Sequence, residues 1–265
     1  MIRLLALTML LWVASGCRAQ ESPPPLESQP SVDVQQLLTH RQVAAPPAVT
    51  GRQPLLWVSL AAHLGARADA APLTLKAASG SLSLEDRSGR RWSAASVQIS
   101  WRSVPLEKPL ALARRVAGPF ASFESAERVA LRWRALGVSA EVAHPADWEV
   151  WAPAGAPAPG DLQVRDWSSR LEFSVEPVLQ LPEGGTMLKG PLQIDAPGGL
   201  RWGKGVFQGP FRLQRDAYGS WTLVEQVPLE RYLEGVVPHE IGAGSPQAAL
   251  QAQTVLARTW ALANS

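Results

Sequence analysis

Two helical patterns near the C-terminus, separated by a short stretch that contains one carboxylate, constrain the fold of this chain most. In the first pattern apolar residues recur at i, i+3, i+4 and i+7, which predicts one buried helix face: Leu229, Tyr232, Leu233 and Val236. Pro228 suits the first turn of this helix, and Gly235 and Pro238 are expected to end it. The sequence therefore predicts that the helix stops before Glu240.

The second pattern begins at Ser245, a favourable N-cap, and Pro246, a favourable first residue, and it extends to about Asn264. Alanine, which favours the helix and lets another backbone approach closely, is frequent in it. One face of this helix is expected to be buried: Leu250, Thr254, Ala257 and Ala261. Four further residues widen this face, so the helix is expected to be buried on most sides: Val255, Leu256, Thr259 and Leu262.

Glu240 lies between the two patterns, with Val236, Val237 and Ile241 as apolar neighbours. A carboxyl group held among apolar side chains has its charged form disfavoured, and such a group can donate a proton near neutral pH. The alternative is that Glu240 is an ordinary solvated residue of a loop.

The same residues resemble the signature of the SpoIID/LytB family. The resemblance runs without insertion from Val227 to Val237, through Glu240 and Pro246, to Ala257-Arg-Thr and Ala261-Leu. The segments 207–215 and 221–227 are similar to the strand pair that precedes this signature, so that the resemblance covers residues 165–265. The chain departs from the family pattern at Ile241, Gly242, Ser245, Gln251 and Trp260.

The resemblance implies that the chain acts on peptidoglycan as a lytic transglycosylase in which Glu240 is the catalytic acid/base. The acid protonates the glycosidic oxygen after N-acetylmuramic acid. The carboxylate then takes the proton of that sugar's C6 hydroxyl, which attacks C1 and closes a 1,6-anhydro ring. One carboxylate therefore suffices, whereas an ordinary glycosidase uses two. Glu234 is a candidate for a second carboxylate, and His239 is interpreted as a surface or hydrogen-bonding residue.

Two further functions remain open. The first alternative is a non-catalytic, glycan-binding enhancer of a cell-wall amidase, and the second is a structural wall-binding lipoprotein with a degenerate site. Arg258 can hold a substrate carboxylate, or it can tie its helix to a neighbouring carbonyl or carboxylate. The family also implies a cleft wall beyond Ser265, so these 265 residues alone are expected to be inactive.

The N-terminus has the pattern of a lipoprotein signal peptide over residues 1–16, with Arg3 before an apolar run that is too short to span a bilayer. Cys17, the one cysteine of the chain, follows small residues and is predicted to carry a lipid. The alternative is a plain secretory signal; either reading predicts export to the periplasm or cell surface. Residues 17–53 are rich in Pro, Ser and Gln and predict a disordered tether.

The segment between tether and signature predicts an α+β fold. Residues 54–110 alternate apolar and polar residues and predict a β-rich segment. Residues 111–153 resemble a SPOR-like glycan-binding module, the alternative being a generic α+β element, and residues 154–164 are a Pro-rich linker. Trp148 and Trp151 are candidates for stacking on sugars because this linker can leave them exposed. Trp133 lies on an apolar helix stripe and is predicted to be core.

Charge and composition exclude several function classes. The formal net charge is +2, and it falls to +1 when the signal peptide, with Arg3, is removed. The basic residues are dispersed, which argues against a nucleic-acid partner. Four scattered histidines and one cysteine support no metal site, and no cofactor is expected. The expected partners are peptidoglycan glycan strands, the membrane through Cys17, and an amidase.

Overall fold

The computed structural model of the chain describes residues 54–263, which form fourteen strands and three helices. The strands are β1 (Leu55–Leu64), β2 (Leu73–Ala77), β3 (Leu82–Glu85), β4 (Arg91–Ala94), β5 (Ser96–Phe120), β6 (Glu141–Ala143), β7 (Trp148–Pro153), β8 (Arg165–Leu181), β9 (Gly184–Met187), β10 (Leu192–Asp195), β11 (Leu200–Trp202), β12 (Gly205–Phe207), β13 (Phe211–Arg215) and β14 (Trp221–Pro228). The helices are α1 (Phe123–Ala135), α2 (Leu229–Ile241) and α3 (Gln247–Ala263). This β-rich content with three helices is compatible with the predicted α+β class. The signal peptide, Cys17 and the tether lie outside the described residues.

The described chain divides into two compact units. Unit 1 contains residues 54–103 and 175–263, and unit 2 contains residues 104–174. The chain leaves unit 1 along the long strand β5 and returns to it along β8. Unit 2 is therefore an insertion, in sequence, between the two parts of unit 1.

Unit 1 contains an antiparallel six-stranded sheet with the order β1-β14-β13-β10-β3-β4. Its strands alternate buried and exposed residues, as in Leu192–Asp195, because one face packs on a core and the other does not. The other sheet includes β12, β11, β2 and the first part of β5, paired in that order, and β8 pairs with β5 and β9. Side chains from both sheets form one apolar core, whose largest fully buried members are Trp221 and Phe211.

Unit 2 consists of the remainder of β5 paired with β7, which pairs with β6, and the helix α1. Ser122 and Ser125 form a capping box at the start of α1. Trp133 is fully buried in the core of this unit, as predicted, and its indole N–H donates to the Pro157 carbonyl oxygen at 2.8 Å. The helix ends at Ala135, and its C-cap, Leu136, is exposed.

Candidate functional site

Helix α2 follows directly from strand β14 at Pro228 and is fixed to the sheet at its start. The Leu229 amide donates to the Pro54 carbonyl oxygen at 2.9 Å, next to β1. The buried carboxylate of Glu225 accepts hydrogen bonds from the Gln208 and Gly209 amides, and the Arg231 guanidinium donates to the Gly209 carbonyl oxygen at 2.9 Å. These contacts join the first turn of α2 to the chain just before β13.

Helix α2 is longer than predicted. It continues through Gly235 and Pro238 to Ile241 and ends at Gly242, whose φ of 89° is unfavourable for other residues. The packing of Leu229, Leu233 and Val237 against the core outweighs the hydrogen bond that Pro238 removes. The carbonyl oxygen that loses its donor belongs to Glu234, an exposed residue, so the helix tolerates this loss.

Glu240 is therefore in the last turn of α2, and the expectation of a loop position was wrong. It is half-buried, and its Oε2 accepts a hydrogen bond from Nε2 of Gln253 on α3 at 2.7 Å. Val237, on the preceding turn, is buried, whereas Ile241 is exposed. The carboxylate thus lies where the two helices meet.

Helix α3 begins close to the predicted position, and the Ser245 hydroxyl donates to the Ile241 carbonyl oxygen at 2.6 Å, which closes the turn from α2. Ala257 and Ala261 are buried as predicted, and Leu250 packs beside them. Val255 and Leu256 are 58% and 46% exposed, so the expectation of burial on most sides was wrong. Small alanines allow α3 to approach α2 along a narrow strip, which leaves the wider face open.

Tyr232 is a residue of the site that the sequence assigned to packing alone. Burial, followed by the negative charge of Glu240, raises the pKa of its hydroxyl above the ordinary value. The phenol therefore lies within electrostatic reach of the Glu240 carboxylate. The eight-residue spacing between the two residues, slightly more than two helical turns, was the available signal.

Arg258 ties the two helices together. Its Nε and Nη2 donate to the two carboxylate oxygens of Glu230 at 3.1 and 2.7 Å. The hydrogen bond from Arg258 lowers the pKa of Glu230. The geometry matches the interpretation of Arg258 as a tie between helices. The guanidinium edge that would hold a substrate carboxylate contacts a carboxylate of the protein.

The other carboxylate and histidine near Glu240 do not face it. Glu234 is exposed, and its six-residue offset places it about 120° away around the helix. His239 is also exposed, as expected for a surface residue. Within residues 54–263 no cluster of three His, Cys, Asp or Glu side chains could hold a metal ion.

Trp148 and Trp151 belong to unit 2 and have different surroundings. Trp148 is half-buried and contacts the rings of His144 and Phe123, at centroid distances of 4.4 and 5.6 Å. Trp151 is only 8% exposed, so the expectation that it is exposed was wrong. The Arg114 guanidinium covers its ring at 3.6 Å and lies 3.9 Å from the ring of Trp167, because Arg114 lies on the same strand and face as Val116, the register partner of Trp151.

Within the described range no helix is long and apolar enough to cross a membrane.

The comparisons with known proteins bear on the C-terminal part of the chain. Residues 217–265 match the model of the SpoIID family, which is described as Stage II sporulation protein. Curated proteins gave no match, and neither did solved structures. The matched segment contains β14, both C-terminal helices, Glu240, Gln253 and Arg258. Residues 217–265 of this chain are therefore similar to the SpoIID family.

Proposed function

We propose that this protein cleaves peptidoglycan glycan strands as a lytic transglycosylase, with Glu240 as the single acid/base. The family match indicates a role related to sporulation or to the cell wall. The observation that carries the proposal is the half-buried Glu240 carboxylate, held at one oxygen by Gln253 where α2 and α3 meet. A carboxyl group fixed in this way keeps its second oxygen for proton transfer.

The proposed reaction needs one carboxyl group and no water. The protonated Glu240 gives its proton to the glycosidic oxygen as the bond from C1 of N-acetylmuramic acid breaks. The resulting carboxylate takes the proton of the C6 hydroxyl as its oxygen bonds to C1. The product has a 1,6-anhydro end, and Glu240 is again protonated. The exposed position of Glu234, away from Glu240, supports a mechanism without a second carboxylate.

The second candidate function is a non-catalytic, glycan-binding enhancer of a cell-wall amidase. The bond between Glu240 and Gln253 also favours this function, because a carboxylate that joins two helices can be purely structural. We also propose, for either function, that unit 2 is a glycan-binding module of the SPOR-like kind. The packing of α1 on a small antiparallel sheet supports this proposal.

The test is the digestion of purified sacculi by the full natural protein, followed by mass spectrometry. We expect 1,6-anhydro ends with the wild type, none with Glu240→Gln, and undiminished levels with Glu234→Gln, the matched control on the exposed side of α2. Absence of such ends from the wild type, or their persistence in Glu240→Gln, would exclude the transglycosylase. Faster release of stem peptides by an added amidase, in both wild type and Glu240→Gln, would establish the enhancer.

We also propose that the protein is exported and anchored by a lipid at Cys17. The support is the sequence pattern of residues 1–17. Metabolic labelling with a fatty acid should place label on the wild type and none on Cys17→Ser. Release of the Cys17→Ser variant from the membrane fraction is the second expected result, and label on that variant would contradict the proposal.

A further inference from the structure

The face of the six-stranded sheet that points away from the core of unit 1 carries a row of mainly polar side chains. Directly paired residues of antiparallel strands point to the same face. The register therefore places six residues in one row across the sheet, here called the outer row: Ser59, Val224, Arg212, Gln193, Glu85 and Arg91. Trp57 lies two residues before Ser59 on β1 and shares this face.

Arg212, in the middle of the outer row, is a cation without a counter-charge among residues 54–263. Its guanidinium carbon lies 5.1 Å from the ring centroid of Trp57, and it forms no ion pair or hydrogen bond with the described residues. Its Nε is buried and has no acceptor. Burial lowers the pKa of this guanidinium, and no carboxylate offsets that effect.

Trp57 also has a buried hydrogen-bond donor without an acceptor among the described residues. Its indole Nε1 is buried and has no hydrogen-bond acceptor within the described part of the chain. Two buried N–H groups without acceptors, on side chains in contact with each other, are unusual, because each costs free energy comparable to a lost hydrogen bond. Both groups are donors, so the missing partner is an acceptor.

Other arginines of unit 1 show what is missing at Arg212. Arg91, at the end of the outer row, pairs with Glu85 at 2.9 Å. Arg215, on the same strand as Arg212, pairs with Glu176. Asp195, on the same face of the adjacent strand β10, is exposed and makes no ion pair with Arg212.

We propose that Arg212 and Trp57 form a binding site for a sugar that carries a carboxylate. The planar guanidinium fork binds a carboxylate through two parallel N–H donors, and an indole ring offers an apolar face to a pyranose ring. The carboxylate supplies the acceptor and the negative charge that Arg212 lacks. The Trp57 ring lies 5.1 Å from the Arg212 guanidinium carbon, so the Trp57 indole is a reporter of binding at this site.

The bacterial wall contains such a sugar, N-acetylmuramic acid, whose lactyl group ends in a free carboxylate wherever the stem peptide has been removed. The choice of the wall as the source rests on the proposed function, whereas the site for a carboxylate does not. The site is on the face of β1 opposite to Leu56 and Val58, which pack with α2 and α3. It is therefore separate from Glu240 and binds glycan without cleaving it.

The experiment is a titration of the full natural protein followed by NMR of the indole N–H signals, with the Trp57 signal assigned from Trp57→Phe. N-acetylmuramic acid should shift this signal in a saturable way. N-acetylglucosamine, the matched sugar without a carboxylate, should not, and lactate and inorganic phosphate should bind more weakly because they lack the sugar ring. An equal response to N-acetylglucosamine would refute recognition of the carboxylate. An equal response to lactate or phosphate would refute recognition of the sugar ring.

Variants of the arginines sharpen the test. Arg212→Gln should weaken binding about ten-fold or more because it removes a charge-assisted pair. Arg212→Lys should weaken it less, and Arg91→Gln, the paired arginine of the same row, should leave it unchanged. Undiminished binding by Arg212→Gln would refute the proposal. If that variant does not fold, Arg212→Lys carries the same test, since loss of the bidentate pair alone must lower the affinity.

Failure of this site and failure of the proposed function give different results. Glu240→Gln should bind N-acetylmuramic acid as the wild type does. Binding without 1,6-anhydro products refutes the transglycosylase alone, and 1,6-anhydro products without a Trp57 response refute this site alone.

Discussion

At the scale of single residues, the contact between Glu240 and Gln253 links the two helices of the segment that matches the SpoIID family to the proposed chemistry. Gln253 donates to Oε2 of Glu240 at 2.7 Å, and this contact fixes one carboxylate oxygen. In the proposed reaction Gln253 is therefore a positioning residue, which acts through Glu240.

Gln253→Ala should lower kcat about ten-fold with little change in KM, because the carboxylate loses its orientation while the sugar contacts remain. The measurement is the initial rate of 1,6-anhydro end formation at several concentrations of soluble glycan strands. Gln253→Asn, whose amide is one methylene shorter, should recover little of the rate. Gln251→Ala is the matched control, because Gln251 is exposed on the same helix. A rise in KM at unchanged kcat would contradict the positioning role.

The identity of Glu240 as the carboxylate of interest came from the sequence, but its contact with Gln253 did not. Local periodicity places residues on a helix face, whereas the contact depends on how α3 packs on α2. Arg258 shows the same limit. The sequence left two interpretations open, and the bidentate contact with Glu230 became visible only once the two helices were placed.

At the scale of secondary-structure elements, the turn between β3 and β4 depends on one buried carboxylate. Burial alone would raise the pKa of Asp86, but hydrogen bonds from Ser88, Arg90 and the Lys189 amide outweigh it and hold the pKa well below the ordinary value. The Lys189 contact also joins this turn to the chain just before β10. The carboxylate form of Asp86 therefore stabilises the fold.

Asp86→Asn should lower the free energy of unfolding at pH 7 by about 2 kcal/mol, because it removes charge-assisted hydrogen bonds. A folded-state pKa below the unfolded value means that this stabilisation is complete above about pH 4 and is lost as the pH falls further. Urea unfolding at pH 7 and at pH 3 measures both effects, and the difference between wild type and variant should be smaller at pH 3. Asp69→Asn, on an exposed aspartate, is the control. A difference that is equal at both pH values would contradict this assignment.

The strands were more predictable than the helix ends. Alternating segments such as Leu73–Ala77 and Leu82–Glu85 read directly as strands because each is half-buried. Helix α2 passes the residues expected to end it, since its buried face packs on the core. The pairing of β1 with β14, far apart in sequence, has no local signal, and the strand order of the sheet could not be predicted for the same reason.

At the scale of the whole molecule, the described chain has two units with separate cores. The core of unit 1 centres on residues such as Phe211 and Trp221, and that of unit 2 on Trp133 and its neighbours. The sequence predicted a separate module over residues 111–153, and the compact unit in the structure contains residues 104–174. Its wider extent comes from the long strands β5 and β8, which continue beyond the local pattern.

Separate cores predict that damage to one unit is local. Trp133→Ala should destabilise unit 2 by about 3–5 kcal/mol, because a fully buried indole and its hydrogen bond to Pro157 are lost. Hydrogen exchange followed by mass spectrometry should then show faster exchange in peptides from α1, β6 and β7. Peptides from β13 and β14 should keep their protection, since units with their own cores open separately. Leu131→Ala, on the exposed side of α1, is the matched control and should change neither set. Equal loss of protection in β13 and β14 would mean that the two units unfold as one, and the wall binding proposed for unit 2 could then not be separated by mutation from the chemistry proposed at Glu240.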